Sequence, residues 1–187
     1  ISTDGTEFTH NILKPHSLFP IHLALGEQAN HHYFESLTEV VVKSVSFSQV
    51  VDDLKKNSEL LLALSRKLAA GLNQTTFRVE SLLFGDARQR VAAALVLMGR
   101  RFGQIKAGVD PKKGKQIVID AFSITHQLLA SITALTRETV SIEMMALKKD
   151  GLIDYQRQRV KILNLEELRE ASSLPFYLWG GLFIFKL

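Results

Sequence analysis

The sequence contains no cysteine in its 187 residues. Disulfide bonds, thiolate metal sites, iron–sulfur clusters and cysteine nucleophiles are therefore excluded as sources of stability or activity. A glycine-rich phosphate loop, a nucleophile elbow and a metalloprotease motif are also missing from the sequence. We therefore predict that the protein is not an enzyme.

The composition has no strong bias and only a small excess of positive charge. Hydrophobic residues make up 46% and charged residues 22% of the chain, and the formal net charge is +4. Such a charge is compatible with nucleic-acid binding, but many proteins that bind no nucleic acid carry it too. No signal peptide is visible, and the apolar segment 176–187 is shorter than the roughly 20 residues that a membrane span needs. We expect a cytoplasmic protein with no membrane partner.

The first 50 residues favour β-structure, and the next 35 favour a helix. Residues 3–6 are typical of a hairpin turn, and the β-branched segment 39–45 predicts a strand. Through residues 48–84, apolar residues recur at steps of three and four, as on one face of a long helix. The apolar residues are Leu61, Leu64, Leu68, Leu72, Val79 and Leu83. A small β-domain cannot cover such a helix, which therefore either lies between domains or pairs with its copy in a dimer.

Stop and cap signals divide the following segment. Gly85 predicts a left-handed helix stop and Asp86 an N-cap, so the next helix begins near Ala87 and ends at Gly103. We predict a loop at residues 108–114 and a short strand at residues 117–119.

The segment 122–162 predicts a winged helix-turn-helix. Thr125 caps a short helix, and after a tight connection Thr136 caps a second one. Gly151 provides a left-handed stop for the second helix, and a β-hairpin follows around residues 156–159. The apolar positions of the second helix fall on one face, and they are Val140, Met144 and Leu147.

The side chains at the start of the second helix suit the DNA major groove. An arginine such as Arg137 can reach guanine O6 and N7, and Glu138 can accept a hydrogen bond from cytosine N4. At the tip of the hairpin, Arg157 and Arg159 lie where a phosphate backbone would pass. Alternatively, the sequence TRET at 136–139 only caps a helix, with Glu138 stabilised near the helix N-terminus.

Two runs in this region, LTRETVS at 135–141 and LKKDGLI at 147–153, closely resemble the DNA-binding domain of the Crp/Fnr superfamily of bacterial regulators. Upstream, LLFGDARQRVA at 82–92 resembles the hinge of that family, and ISTDGTE at 1–7 resembles a hairpin of its cyclic-nucleotide-binding-like jelly roll. The resemblance implies an α+β fold with a partial β jelly roll, a long dimerisation helix and a C-terminal winged helix-turn-helix. It also implies that roughly the first half of the jelly roll is absent from this chain.

The resemblance divides the chain into four parts. It implies a partial sensor domain at 1–56, a dimerisation helix at 57–85, a winged helix-turn-helix at 86–170 and an apolar tail at 171–187. The implied partners are double-stranded DNA and a second copy of the chain, bound through the 57–85 helix, with RNA polymerase as a further potential partner.

Family residues that read bases or touch phosphate can be matched position by position. Arg137 and Glu138 match the first two base-reading positions, whereas the second arginine of the family pattern is replaced by Ile142. Ile142 cannot donate hydrogen bonds, so it either contacts a thymine methyl group or points inward. The residues predicted to contact DNA are Thr125, His126, Gln127, Thr136, Arg137, Glu138, Thr139, Ser141, Arg157 and Arg159.

The effector cannot be named from the sequence. Thr75 and Thr76 match a polar pair that touches nucleotide in some members, but the arginine and backbone cradle that would hold the phosphate has no match here, so we expect no classical cyclic-AMP binding. Five histidines could bind haem or a metal, although ordinary surface or core histidines are the simpler interpretation. These histidines are His10, His16, His22, His31 and His32.

Two functions therefore remain from the sequence. The first is a homodimeric, sequence-specific transcription regulator under the control of an unknown effector. The second is a dimerisation or scaffold module whose winged helix binds protein, which the replacement at Ile142 and the apolar tail would suit.

Overall fold

The computed structural model describes residues 7–26, 32–106 and 116–172. The predicted hairpin turn at 3–6, the predicted loop at 108–114 and the apolar segment 176–187 lie outside this range. The elements are α1 (Ile21–Leu25), α2 (Phe47–Lys56), α3 (Ser58–Phe84), α4 (Ala87–Phe102), β1 (Gln104–Lys106), β2 (Gln116–Ile119), α5 (His126–Thr133), α6 (Arg137–Lys149), β3 (Ile153–Gln156), β4 (Arg159–Ile162) and α7 (Leu165–Ala171). The combination of helices with one antiparallel sheet confirms the α+β class.

The chain forms two units, which are described separately. One unit is Ile12–Thr76, and the other combines Ile1–Asn11 with Phe77–Leu187. The first contains α1, α2 and the beginning of α3. Helices α2 and α3 start at polar caps, because the Ser46 hydroxyl accepts from the Gln49 amide at 3.3 Å and the Asn57 side chain accepts from the Leu60 amide at 3.0 Å.

The strand predicted at 39–45 is wrong. These residues have no regular structure, and Val41 is 90% exposed. A β-branched sequence becomes a strand only where a neighbouring strand can accept and donate its backbone hydrogen bonds, and the described residues 12–26 and 32–76 contain no strand. The part of the jelly roll that the resemblance implies is therefore not formed by these described residues.

The second unit is built around α4. The Asp86 carboxylate accepts from the Gln89 amide at 2.8 Å, and the Gln89 side chain accepts from the Asp86 amide at 2.9 Å, which forms a capping box. The left-handed stop predicted at Gly85 is wrong, because its φ is not positive. Gly85 is needed for space instead, since a Cβ there would lie 2.6 Å from the carbonyl oxygen of Ser81.

The sheet has the strand order β1-β2-β4-β3 and is antiparallel throughout. Ile162 on β4 pairs with Ile117 on one side and Ile153 on the other, so the hairpin predicted at the end of the domain is joined to the strand predicted at 117–119. α4 packs against α5, α6, α7 and β2. The largest fully buried side chains of this core include Leu95, Ile119, Leu129, Met144, Leu147, Ile153, Ile162 and Leu168.

Candidate nucleic-acid interface

Helix α6 presents one apolar face to the core and one mixed face to solvent. Thr136 caps it as predicted, because its hydroxyl accepts from the Thr139 amide at 3.1 Å. The predicted apolar positions Val140, Met144 and Leu147 are at most 1% exposed. The opposite face follows the helical repeat and is exposed, and its residues are Glu138, Ile142, Met145 and Lys149.

The first two turns of α6 line an open depression in the surface. Its lining consists of Arg137, Glu138, Ser141 and Ile142. Ile142 is 59% exposed, so the alternative in which it points inward is wrong. A guanidinium, a carboxylate, a hydroxyl and an apolar side chain therefore meet at one place on a rigid helix.

Helix α5 lies directly before this helix, and Thr125 caps it, accepting from the Leu128 amide at 3.0 Å. The following residues, His126 and Gln127, belong to its first turn and are at least partly exposed. The connection to α6 turns at Ala134, whose φ of 52° and ψ of 44° are left-handed. An L-residue other than glycine adopts that conformation only at a cost, so the connection is held by its surroundings.

The predicted wing is a hairpin with a two-residue turn. Arg157 and Gln158 have φ values of 47° and 66°, which is typical of the type I′ turn that matches the twist of the flanking strands. Arg157 and Arg159 are exposed, and the structure adds Lys161, which alternates with buried residues on β4. The Gln158 carbonyl accepts from the Ile124 amide at 2.8 Å, which ties the wing tip to the approach to α5.

A cluster that the sequence did not predict joins α5, α6 and the wing. The Lys148 ammonium lies 2.7 Å from the Asp154 carboxylate and 5.0 Å from the centre of the Tyr155 ring. His126 meets the same ring edge-on, with 5.9 Å between ring centres. The hydrogen bond to Lys148 lowers the pKa of Asp154, and the same bond raises the pKa of Lys148.

A second ion pair joins helices α4 and α6. The Arg88 guanidinium donates to the Asp150 carboxylate at 2.6 Å, so the beginning of α4 is linked to the end of α6. Gly151 then ends α6 with a φ of 74°, as predicted. Both groups of the pair are partly exposed, so its contribution lies in orientation more than in stability.

The sequence also gave no sign of the contacts of Arg78. Its guanidinium, at the end of α3, donates to the carbonyls of Thr9 and His10 and, at 2.7 Å, to that of Ile132 at the end of α5. It also lies 4.3 Å from the centre of the Phe8 ring. Burial lowers the pKa of Arg78 to about 10, so it remains charged at neutral pH. The three residues whose carbonyls accept from Arg78 are 54 to 69 residues away in sequence, which is why no local pattern could predict them.

The predicted effector residues lie on α3. The Thr75 hydroxyl donates to the carbonyl of Gly71 at 3.1 Å, one turn earlier, and Thr76 is exposed. Of the five histidines, His31 lies outside the described residues. Within the part that the structure describes, no three histidine, aspartate or glutamate side chains come close enough to hold a metal ion. None of the helices searched in that part is long and apolar enough to span a membrane.

The comparison with protein families matches the segment described above. Residues 89–171 match the model of the Crp-like helix-turn-helix domain. This segment contains α5, α6 and the wing, so the family match and the geometry concern the same elements.

Two proteins with similar sequences are named as regulators. The global nitrogen regulator of Nostoc sp. is 28% identical over 160 residues, which cover 84% of this chain and 68% of that protein. The transcriptional regulator LdrP of Thermus thermophilus is 28% identical over 151 residues, which cover 80% of this chain and 70% of that protein.

One solved structure is similar to this chain in both fold and sequence. It is a transcriptional regulator of the CRP/FNR family from Thermus thermophilus, with a TM-score of 0.51 and 27% identity. The match covers 63% of this chain, and the chain spans only 56% of that structure's length. The relatives named here are regulators rather than enzymes, in agreement with the prediction that the chain is not an enzyme. Residues 89–171 therefore match a Crp-like helix-turn-helix domain, and the chain is similar to regulators of the CRP/FNR family.

Proposed function

We propose that this chain is a sequence-specific DNA-binding transcription regulator that acts as a homodimer under the control of an effector. The observation that carries the proposal is the exposed first part of α6, where Arg137, Glu138 and Ser141 line one depression on a helix fixed by a buried opposite face. A helix of about 10–12 Å diameter fits the major groove, which is about 12 Å wide.

Base reading is assigned to the polar side chains at the start of α6. Arg137 donates two hydrogen bonds to guanine, and Glu138 accepts one from cytosine. Thr136 and Thr139 also stabilise the start of α6, because their hydroxyls are 2.9 Å apart and Thr136 caps the helix. Their contribution is to fix the backbone that carries Arg137, while Ser141 remains available one turn further along.

Phosphate binding is assigned to the elements on either side of α6. The Thr125 hydroxyl accepts from the Leu128 amide and still has its own proton to donate to a phosphate oxygen. The amides of the first turn of α5 and the side chains of His126 and Gln127 complete this phosphate contact. Arg157 and Arg159 supply positive charge from the wing. The contact between His126 and Tyr155 holds these two phosphate-binding elements in one arrangement.

Dimerisation is assigned to α3. Leu64 is buried within one chain, but other apolar positions of this face are exposed, with exposed fractions of 49% for Leu61, 67% for Leu72 and 70% for Leu83. A second copy of the helix would cover them, as in a two-stranded coiled coil. We assign the domains as predicted, with a sensor part at 1–56, the dimerisation helix at 57–85 and the DNA-binding domain at 86–170, and we leave Thr75 and Thr76 as the candidate effector contacts.

The test of base reading is the variant Arg137→Ala. Its affinity for the preferred site should fall by about 1–3 kcal/mol, and its preference at the contacted base pair should relax. The matched control is Arg66→Ala, which removes the same charge from an exposed position on α3. Equal losses on the preferred site and on random DNA would show that Arg137 contributes charge alone.

The second function, a winged helix that binds protein, is favoured by the exposure of Ile142 and Met145, which are 59% and 54% exposed. Under that function, the chain would not show the steep loss of DNA affinity with salt that phosphate contacts impose. A salt series on duplex DNA therefore separates the two functions.

A further inference from the structure

The solvent-exposed face of α6 carries two apolar side chains. Hydrogen bonding to polar base edges does not require apolar side chains at these positions. Ile142 and Met145 are 59% and 54% exposed, and they lie between Glu138 at one end of the face and Lys149 at the other. The core of the domain is already filled by the opposite face of α6, on which Val140 and Leu147 are 0% exposed. Packing within the domain therefore does not explain Ile142.

The position of Ile142 relates it directly to the base-reading residues. It lines the same depression as Arg137, Glu138 and Ser141, and it lies one turn after Glu138. In the major groove, the apolar group that a base pair offers is the 5-methyl group of thymine. A β-branched side chain has few rotamers, so it presents a fixed apolar surface to such a methyl group.

We propose that Ile142 is a specificity-determining residue that selects a thymine through its 5-methyl group. The proposal rests on the proposed DNA-binding function and names a base that this function leaves open. Four residues of helix rise about 6 Å, and base pairs are about 3.4 Å apart. The selected thymine therefore lies within about two base pairs of the pair that Glu138 contacts.

The test starts from the preferred site, which is obtained by selecting randomised duplexes with the full chain. Each thymine of one half-site is then replaced by deoxyuridine, which removes the methyl group and keeps every hydrogen-bonding group of the base. At one position within about two base pairs of the pair that Glu138 contacts, the replacement should weaken binding about four-fold, the effect expected for one buried methyl group.

Variants of the protein connect that effect to one side chain. Ile142→Ala should bind the thymine site more weakly and should no longer distinguish thymine from deoxyuridine there. Ile142→Val keeps a β-branched apolar side chain and should retain the distinction, and Arg137→Ala should weaken binding while retaining it. Because Ile142 is exposed, these variants should keep the thermal stability of the wild type, which circular dichroism can verify.

The outcomes separate the inference from the function on which it rests. If no sequence is enriched by selection, both the proposed function and this inference are wrong. If a site is enriched but no thymine methyl group within reach affects binding, or if Ile142→Ala keeps the full distinction, the inference alone is overturned.

Discussion

Replacing Arg78 by alanine should destabilise the unit that carries the winged helix. The change removes three hydrogen bonds from a charged donor to the carbonyls of Thr9, His10 and Ile132, together with the contact to the Phe8 ring. Such bonds contribute roughly 1.5–3 kcal/mol each, and several kcal/mol of guanidinium desolvation offset part of the sum. We expect a net loss of about 2–4 kcal/mol.

Two measurements check this loss. The melting temperature followed by circular dichroism should fall by roughly 5–15 °C, given the usual 2–4 °C per kcal/mol for a chain of this size. Hydrogen exchange of the Thr9 amide should accelerate, because its bond to the Ser131 carbonyl at 3.0 Å belongs to the segment that Arg78 holds.

The matched variants make the test specific. Arg78→Lys keeps the charge, but one ammonium cannot span three carbonyls as the guanidinium fork does, so it should recover only part of the loss. Arg66→Ala removes an exposed arginine from the same helix and should leave both readouts unchanged. If Arg78→Ala melts at the same temperature as Arg66→Ala, and the Thr9 amide stays protected, the reasoning is refuted.

Three further predictions concern the turn between α5 and α6, the ion pair of Lys148 with Asp154, and the apolar face of α3. Ala134→Gly should raise the free energy of unfolding by about 0.5–1 kcal/mol in a denaturant titration, because glycine adopts the left-handed φ of 52° without the steric cost that alanine has. An unchanged or lower denaturation midpoint would contradict this. In an NMR titration, the pKa of Asp154 should lie below its ordinary value and should rise in Lys148→Met, because the hydrogen bond to Lys148 is the largest cause of the lowering. The stabilisation by this pair should be complete above the unfolded pKa and be lost as the pH falls through the lowered one. A midpoint that Lys148→Met leaves unmoved would refute the pairing. Leu72→Glu should produce monomers in sedimentation analysis, because Leu72 lies on the apolar face of α3. Leu62 is also exposed but lies off that face, so Leu62→Glu should leave the dimer intact. Dimers in both variants would exclude this face as the interface.

Features set by neighbouring residues could be predicted from the sequence. The helix caps and the left-handed stop are formed by groups within a few residues of one another, at Asp86, Thr125, Thr136 and Gly151. The helices α4, α5 and α6 therefore have nearly the predicted limits. The buried face of α6 followed from the helical repeat alone.

Features that depend on distant partners were missed or wrong. The segment 39–45 has strand-forming residues but no strand to pair with, whereas the three-residue β1 has little local signal and forms because β2 lies beside it. α7 was missed although a local signal exists, since Asn164 caps it by accepting from the Glu167 amide at 3.2 Å.

The candidate site followed the same division. The exposure of Arg137 and Glu138 was predictable, because they lie on the face of α6 opposite the buried one, whereas Ser141 is half-buried. The cluster of Lys148, Asp154, Tyr155 and His126 was not, because it joins three elements through side chains whose meeting depends on the packing of the domain.

The most direct test of the account is a binding competition between the selected site and a scrambled duplex of the same composition, measured over a range of salt concentrations. We expect log affinity to fall steeply and linearly with log salt on both duplexes, and the selected site to be preferred by a factor of at least about 10³. Equal affinities for the two duplexes, or an affinity that salt does not change, would contradict sequence-specific DNA binding by this helix.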